Sequence, residues 1–162
     1  MSKVELRKIE FSDKQYFAKW WRDKELLSLT SGQMDIISDE KVDKYFKIIL
    51  LNTSDIDYMI MVDDVTIGNI SLAKRKNGWY ETLIVIGDKQ YRGKGYGPKA
   101  IKLIIDEANK YDITKIFLEV RPTNNRAIKA YEKCGFKSLG IEKYPNNKDL
   151  PETLRMELKN SI

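Results

Sequence analysis

The sequence of 162 residues contains no histidine and only one cysteine, Cys134. The absence of histidine excludes Ser-His-Asp and Cys-His catalytic arrangements, and with them any metal site that uses a histidine ligand. A single cysteine excludes an internal disulfide, which favours a cytoplasmic location. Any catalysis must therefore use carboxylates, tyrosine, lysine or ordered water to move protons.

Long apolar runs are also missing from the chain. No stretch approaches the ~20 apolar residues that a membrane-spanning helix needs. The first six residues alternate charged and apolar side chains, which is not the pattern of a signal peptide. The length predicts one globular domain over residues 1–162, with no membrane partner.

The most informative stretch is Arg-Gly-Lys-Gly-Tyr-Gly at residues 92–97, between an apolar run and a helical pattern that opens at Pro98. Alternating glycines let the backbone turn sharply and leave its N–H groups unshielded. A helix that begins just behind them adds unpaired N–H groups and a partial positive charge. The stretch predicts a phosphate or diphosphate site, the alternative being a glycine-rich turn without a ligand.

The spacing of this loop separates it from the common nucleotide signatures. A dinucleotide fingerprint needs a third glycine where Pro98 stands, and a Walker loop needs Gly-Lys-Ser/Thr at its end. The pattern R/Q-x-x-G-x-G/A does fit, through Arg92, Gly95 and Gly97.

Hydrophobic periodicity predicts a β-α-α-β-β-β-α-β-α-β-β order. The predicted strands cover residues 4–9, 58–62, 65–73, 79–86, 115–120, 136–143 and 152–158. Four helices are predicted, with caps at Ser12-Asp13, Ser38-Asp39 and Thr123-Asn124 and a start at Pro98. Breaks or turns are predicted at Ser31-Gly32, Asp63-Asp64, Asn77-Gly78 and residues 145–151. Such an order predicts an α/β fold in which about four helices flank one mixed, twisted, mostly antiparallel sheet.

A second motif follows the glycine loop. Residues 124–136 read Asn-Asn-Arg-Ala-Ile-Lys-Ala-Tyr-Glu-Lys-Cys-Gly-Phe, which resembles the N-x-x-A-x-x-x-Y-x-x-x-G-F signature of the GNAT superfamily of N-acetyltransferases. The pattern at 92–97 resembles the acyl-CoA loop of that superfamily. Segments at 4–7, 20–25 and 155–158 are similar to its ribosomal-protein N-acetyltransferase (RimJ/RimL-like) branch.

The resemblance implies acetyl-CoA as donor and co-substrate, an amine as acceptor, and no metal. The acceptor is either a protein N-terminus or a small amine such as a polyamine, amino sugar or aminoglycoside. The diphosphate is expected on the main-chain amides of residues 92–97, and the pantetheine arm beside β-strand residues 84–86, with a strand splay after residue 86 to make room. The implied cofactor-binding residues are Ile84, Val85, Ile86, Arg92, Gly93, Lys94, Gly95, Tyr96, Gly97, Asn124, Ala127 and Tyr131.

Two residues are candidates for proton transfer. Tyr131 occupies the signature tyrosine position and is implied as the general acid for the thiolate, the alternative being a core tyrosine. Glu81 matches an acidic residue of related branches and is the candidate base, directly or through water, the alternative being an acceptor-binding carboxylate. An amine with pKa near ~10.4 is only about one part in a thousand neutral at pH 7.4, so a lysine-like acceptor needs more help than a peptide N-terminus. A backbone N–H near Val85 or Ile86 is a candidate oxyanion donor.

Other polar and aromatic residues allow two interpretations each. Trp20, Trp21, Trp79 and Tyr80 either line an acceptor pocket or pack in the core. Asp23 and Glu25 either attract a cationic acceptor or are solvated charges. Cys134 is expected to be an inert apolar filler rather than a nucleophile.

Positive charge is concentrated in the part of the chain that carries both motifs. Residues 86–143 hold 13 Lys or Arg against 7 Asp or Glu, whereas the rest of the chain holds 16 against 17. Such a field attracts a polyanion, either CoA or RNA. The lysines form no stripe and no aromatic RNA-binding strand motif is present, so nucleic acid is the less favoured partner. A catalytically silent CoA-binding sensor and a homodimer remain alternatives that the sequence leaves open.

Overall fold

The computed structural model of the chain describes residues 2–30 and 35–159. Seven strands form its sheet: β1 Val4–Lys8, β2 Ile56–Val62, β3 Val65–Lys74, β4 Trp79–Ile86, β5 Lys115–Val120, β6 Lys137–Lys143 and β7 Glu152–Lys159. The α-helices of the described residues are α1 Lys14–Trp21, α2 Lys24–Leu29, α3 Asp39–Leu51, α4 Tyr96–Lys110 and α5 Asn125–Lys133. The α/β class and the seven strands are confirmed. The predicted break at Ser31-Gly32 lies outside the described residues.

The strand order in the sheet is β1-β2-β3-β4-β5-β7-β6. All neighbours are antiparallel except β4 and β5, which run parallel. This parallel pairing covers only three positions and ends at Glu81 opposite Phe117, while β4 stays paired with β3 as far as Ile86. The two strands therefore separate beyond Glu81 and leave a slot between them. The prediction that the strands separate after residue 86 is wrong. The apolar run of β4 shows where the strand ends, but it does not show where one edge of the strand loses its partner β5 while the other edge stays paired with β3.

Turn chemistry positions the hairpins that build the sheet. Asp63 and Asp64 have φ values of 46° and 69°, and Asn77 and Gly78 have φ values of 60° and 79°. Two successive left-handed residues match the right-handed twist of the flanking strands, and Asn, Asp and Gly tolerate that conformation best. Both predicted turns are confirmed.

Helices cover both faces of the sheet. On one face α4 and α5 pack over an apolar cluster whose buried members include Ile60, Ile70, Ala100, Ile104, Ile116, Leu118, Phe136 and Met156. On the other face α1, α2 and α3 pack over a smaller cluster of Phe17, Trp20, Leu26, Phe46 and Met59. The slot between β4 and β5 therefore lies between two helical layers.

The helical prediction needs three corrections. Helix α2 was not predicted, because six residues are too few to show a helical periodicity. Asp23 caps this helix, since its side chain accepts from the Leu26 N–H at 3.1 Å. The Asp13 side chain does not cap α1. It is instead buried, where it accepts from Arg7 at 2.9 and 3.0 Å and from the Glu10 N–H at 2.7 Å. Helix α4 begins at Tyr96, two residues before Pro98.

Gly68 on β3 fixes the close approach of β4. A Cβ at this position would lie 2.0 Å from the Val85 carbonyl oxygen, and main chain in a paired strand has little freedom to yield. We expect Gly68→Ala to lower the free energy of unfolding by about 2–4 kcal/mol, measured by urea denaturation. Gly97→Ala is the matched control, since its Cβ would meet only Ile84 Cδ1 at 3.9 Å. Equal stability of the two variants would contradict the packing described for β3 and β4.

Asp57 on β2 makes folding stability depend on pH. Burial, reinforced by the nearby Asp55 carboxylate, raises the pKa of Asp57 to about 6, although Ser71 hydrogen-bonds to the carboxylate. Because the pKa of Asp57 is higher in the folded than in the unfolded chain, the folded state binds its proton more tightly. The free energy of unfolding is therefore highest below about pH 4 and decreases as the pH rises through 6. We expect Asp57→Asn to be more stable than the natural chain at pH 7.5 by about 1–3 kcal/mol, and not at pH 4. An unchanged difference between the two pH values, as expected for the exposed control Asp106→Asn, would contradict this assignment.

Candidate active site

The glycine loop and the first turn of α4 form an anion cradle at the end of β4. Gly93 and Gly95 adopt φ values of 72° and 86°, and Gly95 is the N-cap of α4. The first amides of a helix have no acceptor within it, and Pro98 contributes no N–H. The available donors therefore lie at residues 93–97, ahead of Pro98. The absent side chain of Gly95 leaves open space, with no atom within 4 Å of its Cβ position.

The Arg92 side chain joins this loop to the end of β4. Its guanidinium donates to the carbonyl oxygens of Ile86 at 2.8 Å and Gly87 at 2.9 Å, and Asp23 Oδ2 lies 3.8 Å away. Its N–H donates to the Lys89 carbonyl at 3.2 Å. The expectation that the Arg92 amide faces a diphosphate therefore needs correction, because both polar ends of the residue are already engaged in joining the loop to the end of β4.

A cavity of about 450 Å³ extends from the cradle between β4 and α5. Every residue implied as cofactor-binding lines it except Lys94: Ile84, Val85, Ile86, Arg92, Gly93, Gly95, Tyr96, Gly97, Asn124, Ala127 and Tyr131. Lys94 is exposed and is not among the residues that line this cavity. The structure thus brings together residues from β4, α4 and α5 that lie up to about fifty positions apart.

The free edge of β4 supplies main-chain groups to the slot. The Gly87 N–H donates to the Ile67 carbonyl on the β3 side at 2.8 Å. Because N–H groups alternate in direction along a strand, those of Ile84 and Ile86 point away from β3 into the slot, whereas that of Val85 points toward β3. Of the two candidate oxyanion donors, only Ile86 is therefore oriented toward the slot.

Asn124 and Tyr131 lie at the centre of the slot. The Asn124 side-chain oxygen caps α5 by accepting from the Ala127 N–H at 3.2 Å, so its NH₂ group remains to donate. Tyr131 packs edge-on against Phe136, with ring centroids 6.3 Å apart. Burial raises the pKa of Tyr131 to about 12, which keeps the phenol protonated across the physiological range.

A second cavity, of about 400 Å³, continues the slot toward the β5 and β7 side. Six residues line both cavities: Leu29, Thr30, Ile84, Val85, Asn124 and Tyr131. Glu81 lines only the second one. Its Oε1 accepts from Arg75 Nε at 3.0 Å and Nη2 at 2.8 Å, so an ion pair offsets much of its charge.

Glu119 is a second carboxylate in this cavity, and sequence reasoning missed it. Its Oε1 accepts from the Thr153 hydroxyl at 2.6 Å and from the Tyr144 hydroxyl, and no cation pairs with it among the residues that the structure describes. The hydrogen bond to Glu119, together with burial, raises the pKa of Tyr144 to about 12. The signal in the sequence was a lone carboxylate in the apolar strand β5, on the face opposite Ile116, Leu118 and Val120.

Other candidate residues lie away from both cavities. Trp20 belongs to the apolar cluster under α1–α3, and Trp21 packs against it. Trp79 packs edge-on against Phe117, with ring centroids 6.0 Å apart. All three tryptophans therefore make the core contacts that were one of the two interpretations. Tyr80 packs against the cluster under α4 and α5. Glu25 accepts from Lys89 at 3.1 Å, and the Cys134 thiol donates to the Pro98 carbonyl at 3.6 Å.

The free edge of β4 therefore lies between an anion cradle and a cavity that contains two carboxylates. Comparison with known proteins identifies the class of enzyme. The model of the acetyltransferase (GNAT) domain family matches residues 3–137. The chain therefore belongs to the GNAT family and is an acyltransferase.

Relatives in this family act on different amines. The chain is 24% identical over 151 residues to aminoglycoside N(6')-acetyltransferase type 1 of Klebsiella pneumoniae, covering 85% of this chain and 71% of the relative. It is 28% identical over 105 residues to the ribosomal protein bS18-alanine N-acetyltransferase of Escherichia coli, covering 64% and 61%. The fold matches spermidine N-acetyltransferase of Vibrio cholerae, solved with CoA and spermine, with a TM-score of 0.81, 23% identity and coverage of 97% and 95%.

Helices of membrane-spanning length and apolarity do not occur among residues 2–30 and 35–159. The basic segment at 86–143 supplies four cations to the wall of the first cavity: Arg92, Arg126, Lys129 and Lys133. Among the residues that the structure describes, this lining contains no carboxylate. The concentration of positive charge noted in the sequence thus lies, in part, on the wall of this cavity.

Proposed function

We propose that this protein transfers an acetyl group from acetyl-CoA directly to the primary amine of a small cationic acceptor, in the cytoplasm. The observation that carries the proposal is the continuity of the two cavities through Asn124 and Tyr131. One slot thereby joins a diphosphate cradle to an acidic pocket. Direct transfer follows because carrier and acceptor can occupy the two ends at once.

The cradle suits the diphosphate of CoA. Main-chain donors at residues 93–97 converge in front of a glycine whose missing side chain leaves open space, and the helix terminus favours negative charge. The pantetheine arm then runs along the slot, where its amides can pair with the outward main-chain groups of Ile84 and Ile86 in the manner of an added strand. This arrangement brings the thioester to Tyr131 and Asn124.

The reaction at the centre of the slot is an attack of the neutral amine on the thioester carbonyl. A C–N bond forms, the C–S bond breaks, and the proton lost by the amine ends on the thiolate. A thiol with pKa near ~8.5 is a stronger acid than Tyr131, whose pKa is about 12, by roughly 3.5 pKa units, about 5 kcal/mol. Tyr131 therefore stabilises the leaving sulfur chiefly as a hydrogen-bond donor.

The acidic end of the slot binds the acceptor. Glu119 has no cationic partner among the described residues, whereas Arg75 offsets the charge of Glu81; we infer that Glu119 is the principal carboxylate for the amine and that Glu81 supports it as a base through water or as a second binding group. Tyr144, Asn147 and Leu150 of the β6–β7 connection form one wall of the cavity. The described lining holds two carboxylates, Glu81 and Glu119, against one cation, Arg121. This excess of acidic side chains favours a small polyamine or amino sugar over a peptide.

An acetyl-CoA turnover screen tests this function, with release of free CoA thiol as the readout. The panel contains spermidine, spermine, kanamycin, single amino acids and ribosomal N-terminal peptides. We expect saturable turnover with at least one small di- or polyamine and much weaker turnover with peptides. Faster turnover with peptides than with small amines would show that the acceptor is a protein N-terminus and not a small amine. CoA binding without turnover of any amine would favour the sensor alternative.

A further inference from the structure

The side of α5 that faces the glycine loop carries three cations, at i, i+3 and i+7: Arg126, Lys129 and Lys133. We call these residues the α5 basic row. All three line the first cavity. Residues at this spacing lie on one side of a helix and extend along about 10 Å of its axis. The row therefore forms a continuous positive wall of that cavity.

The row runs alongside the anion cradle. At its start, the Arg126 guanidinium lies against Gly93, because a Cβ on Gly93 would be 3.0 Å from Arg126 Nη1. At its far end, Cys134 reaches the Pro98 carbonyl at 3.6 Å. Arg126 has no ion pair or hydrogen bond with any residue in the described part of the chain. A guanidinium that lies against the glycine loop without a partner of its own among the described residues, two residues from the open space at Gly95, is placed for an anion.

The main-chain donors of the cradle account for only part of the negative charge of CoA. A diphosphate is matched by the main-chain donors of residues 93–97, and Arg92 is already engaged with the Ile86 and Gly87 carbonyls. CoA carries in addition a phosphate monoester on its ribose, with a charge of about −1.5 to −2 at pH 7. Arginine and lysine bind such groups through charge-assisted hydrogen bonds.

We propose that the α5 basic row recognises the ribose 3'-phosphate of the carrier, so that the enzyme selects CoA over carriers without this group. The inference rests on the proposed function, since it presupposes that CoA occupies the slot. It goes beyond that function by assigning carrier specificity to side chains that lie outside the glycine loop. Arg126 anchors the phosphate from one side, and Lys129 and Lys133 extend the positive surface along α5.

Calorimetric titration with CoA and with dephospho-CoA tests the assignment. We expect the natural protein to bind CoA about 10- to 100-fold more tightly, the range for one or two hydrogen bonds to a charged group. Arg126→Ala/Lys129→Ala should reduce this ratio below about threefold by weakening CoA while leaving dephospho-CoA nearly unchanged. Arg126→Lys should retain part of the discrimination. Lys47→Ala, an exposed cation of α3 on the other face of the sheet, is the matched control and should leave both affinities unchanged.

The outcomes separate this inference from the function on which it rests. Equal affinity of the natural protein for both carriers would overturn the phosphate assignment and leave the proposed function standing. An equal loss of both affinities in the double variant would place the row on the diphosphate and would also overturn the assignment. No binding of either carrier to the natural protein would overturn the proposed function together with the inference. Circular dichroism of each variant establishes that it is folded.

Discussion

Tyr131→Phe is expected to lower kcat by about 100-fold or more while the affinity for CoA stays within about twofold. The phenol lies where the two cavities meet, and its high pKa keeps it protonated as a donor. The hydroxyl contributes to the departure of the sulfur, a charge that develops only in the transition state, so its removal acts on kcat rather than on ground-state binding. Single-turnover kinetics with saturating acetyl-CoA measures the chemical step directly.

Tyr45→Phe is the matched control, since Tyr45 is an exposed tyrosine on α3, and its kcat should equal that of the natural chain. A similar decrease of kcat in both variants would indicate a loss of protein stability rather than an effect on the chemical step. If Tyr131→Phe keeps its full rate of acetyl transfer, the phenol is a packing residue, and the assignment of the slot centre as the reaction site loses its main support.

Glu119→Gln is expected to lower kcat/KM by about 100-fold, mainly through a higher KM for the amine. The substitution keeps the shape and can still accept from the Thr153 and Tyr144 hydroxyls. It removes the one carboxylate of the acidic cavity that has no cationic partner among the described residues. An acceptor ammonium that binds there loses a charge-assisted contact, whereas the CoA end of the slot is untouched.

Glu81→Gln provides the comparison for this result. Because Arg75 already pairs with Glu81 at 2.8 Å, we expect a smaller loss of affinity for the amine, about tenfold or less. Should Glu81→Gln instead abolish the chemical step at saturating amine, Glu81 is the essential base and the ranking of the two carboxylates is reversed. Lys129→Ala, which alters only the carrier end, should leave the KM for the amine unchanged.

Much of the fold was predictable because its signals are local. Asn77-Gly78 and Asp63-Asp64 specify left-handed turns by their own conformational preferences. The alternating glycines from Gly93 onward and the asparagine cap at Asn124 likewise act within a few residues. These features specify the cradle and the start of α5 through local conformational preferences alone, without tertiary contacts.

The acceptor end was not predictable to the same degree, because it depends on contacts between distant parts of the chain. The pairing of Arg75 with Glu81 requires the hairpin to be closed. The exposure of Glu119 to a cavity requires β5 to diverge from β4 and β7 to supply Thr153. The tryptophans at 20 and 21 were ambiguous, since an aromatic residue at helical spacing serves a core or a pocket equally well, and here the core holds them.

The central claim is that the slot beside β4, with its anion cradle at residues 93–97, holds a CoA thioester. Calorimetric titration of the natural protein with CoA tests it most directly, together with a Gly95→Val variant that puts a branched side chain into the open space of the cradle. The account predicts saturable binding at micromolar CoA to the natural protein, and a loss of at least about tenfold in the variant. Absence of saturation at millimolar CoA, or equal affinity in a folded Gly95→Val variant, would contradict it.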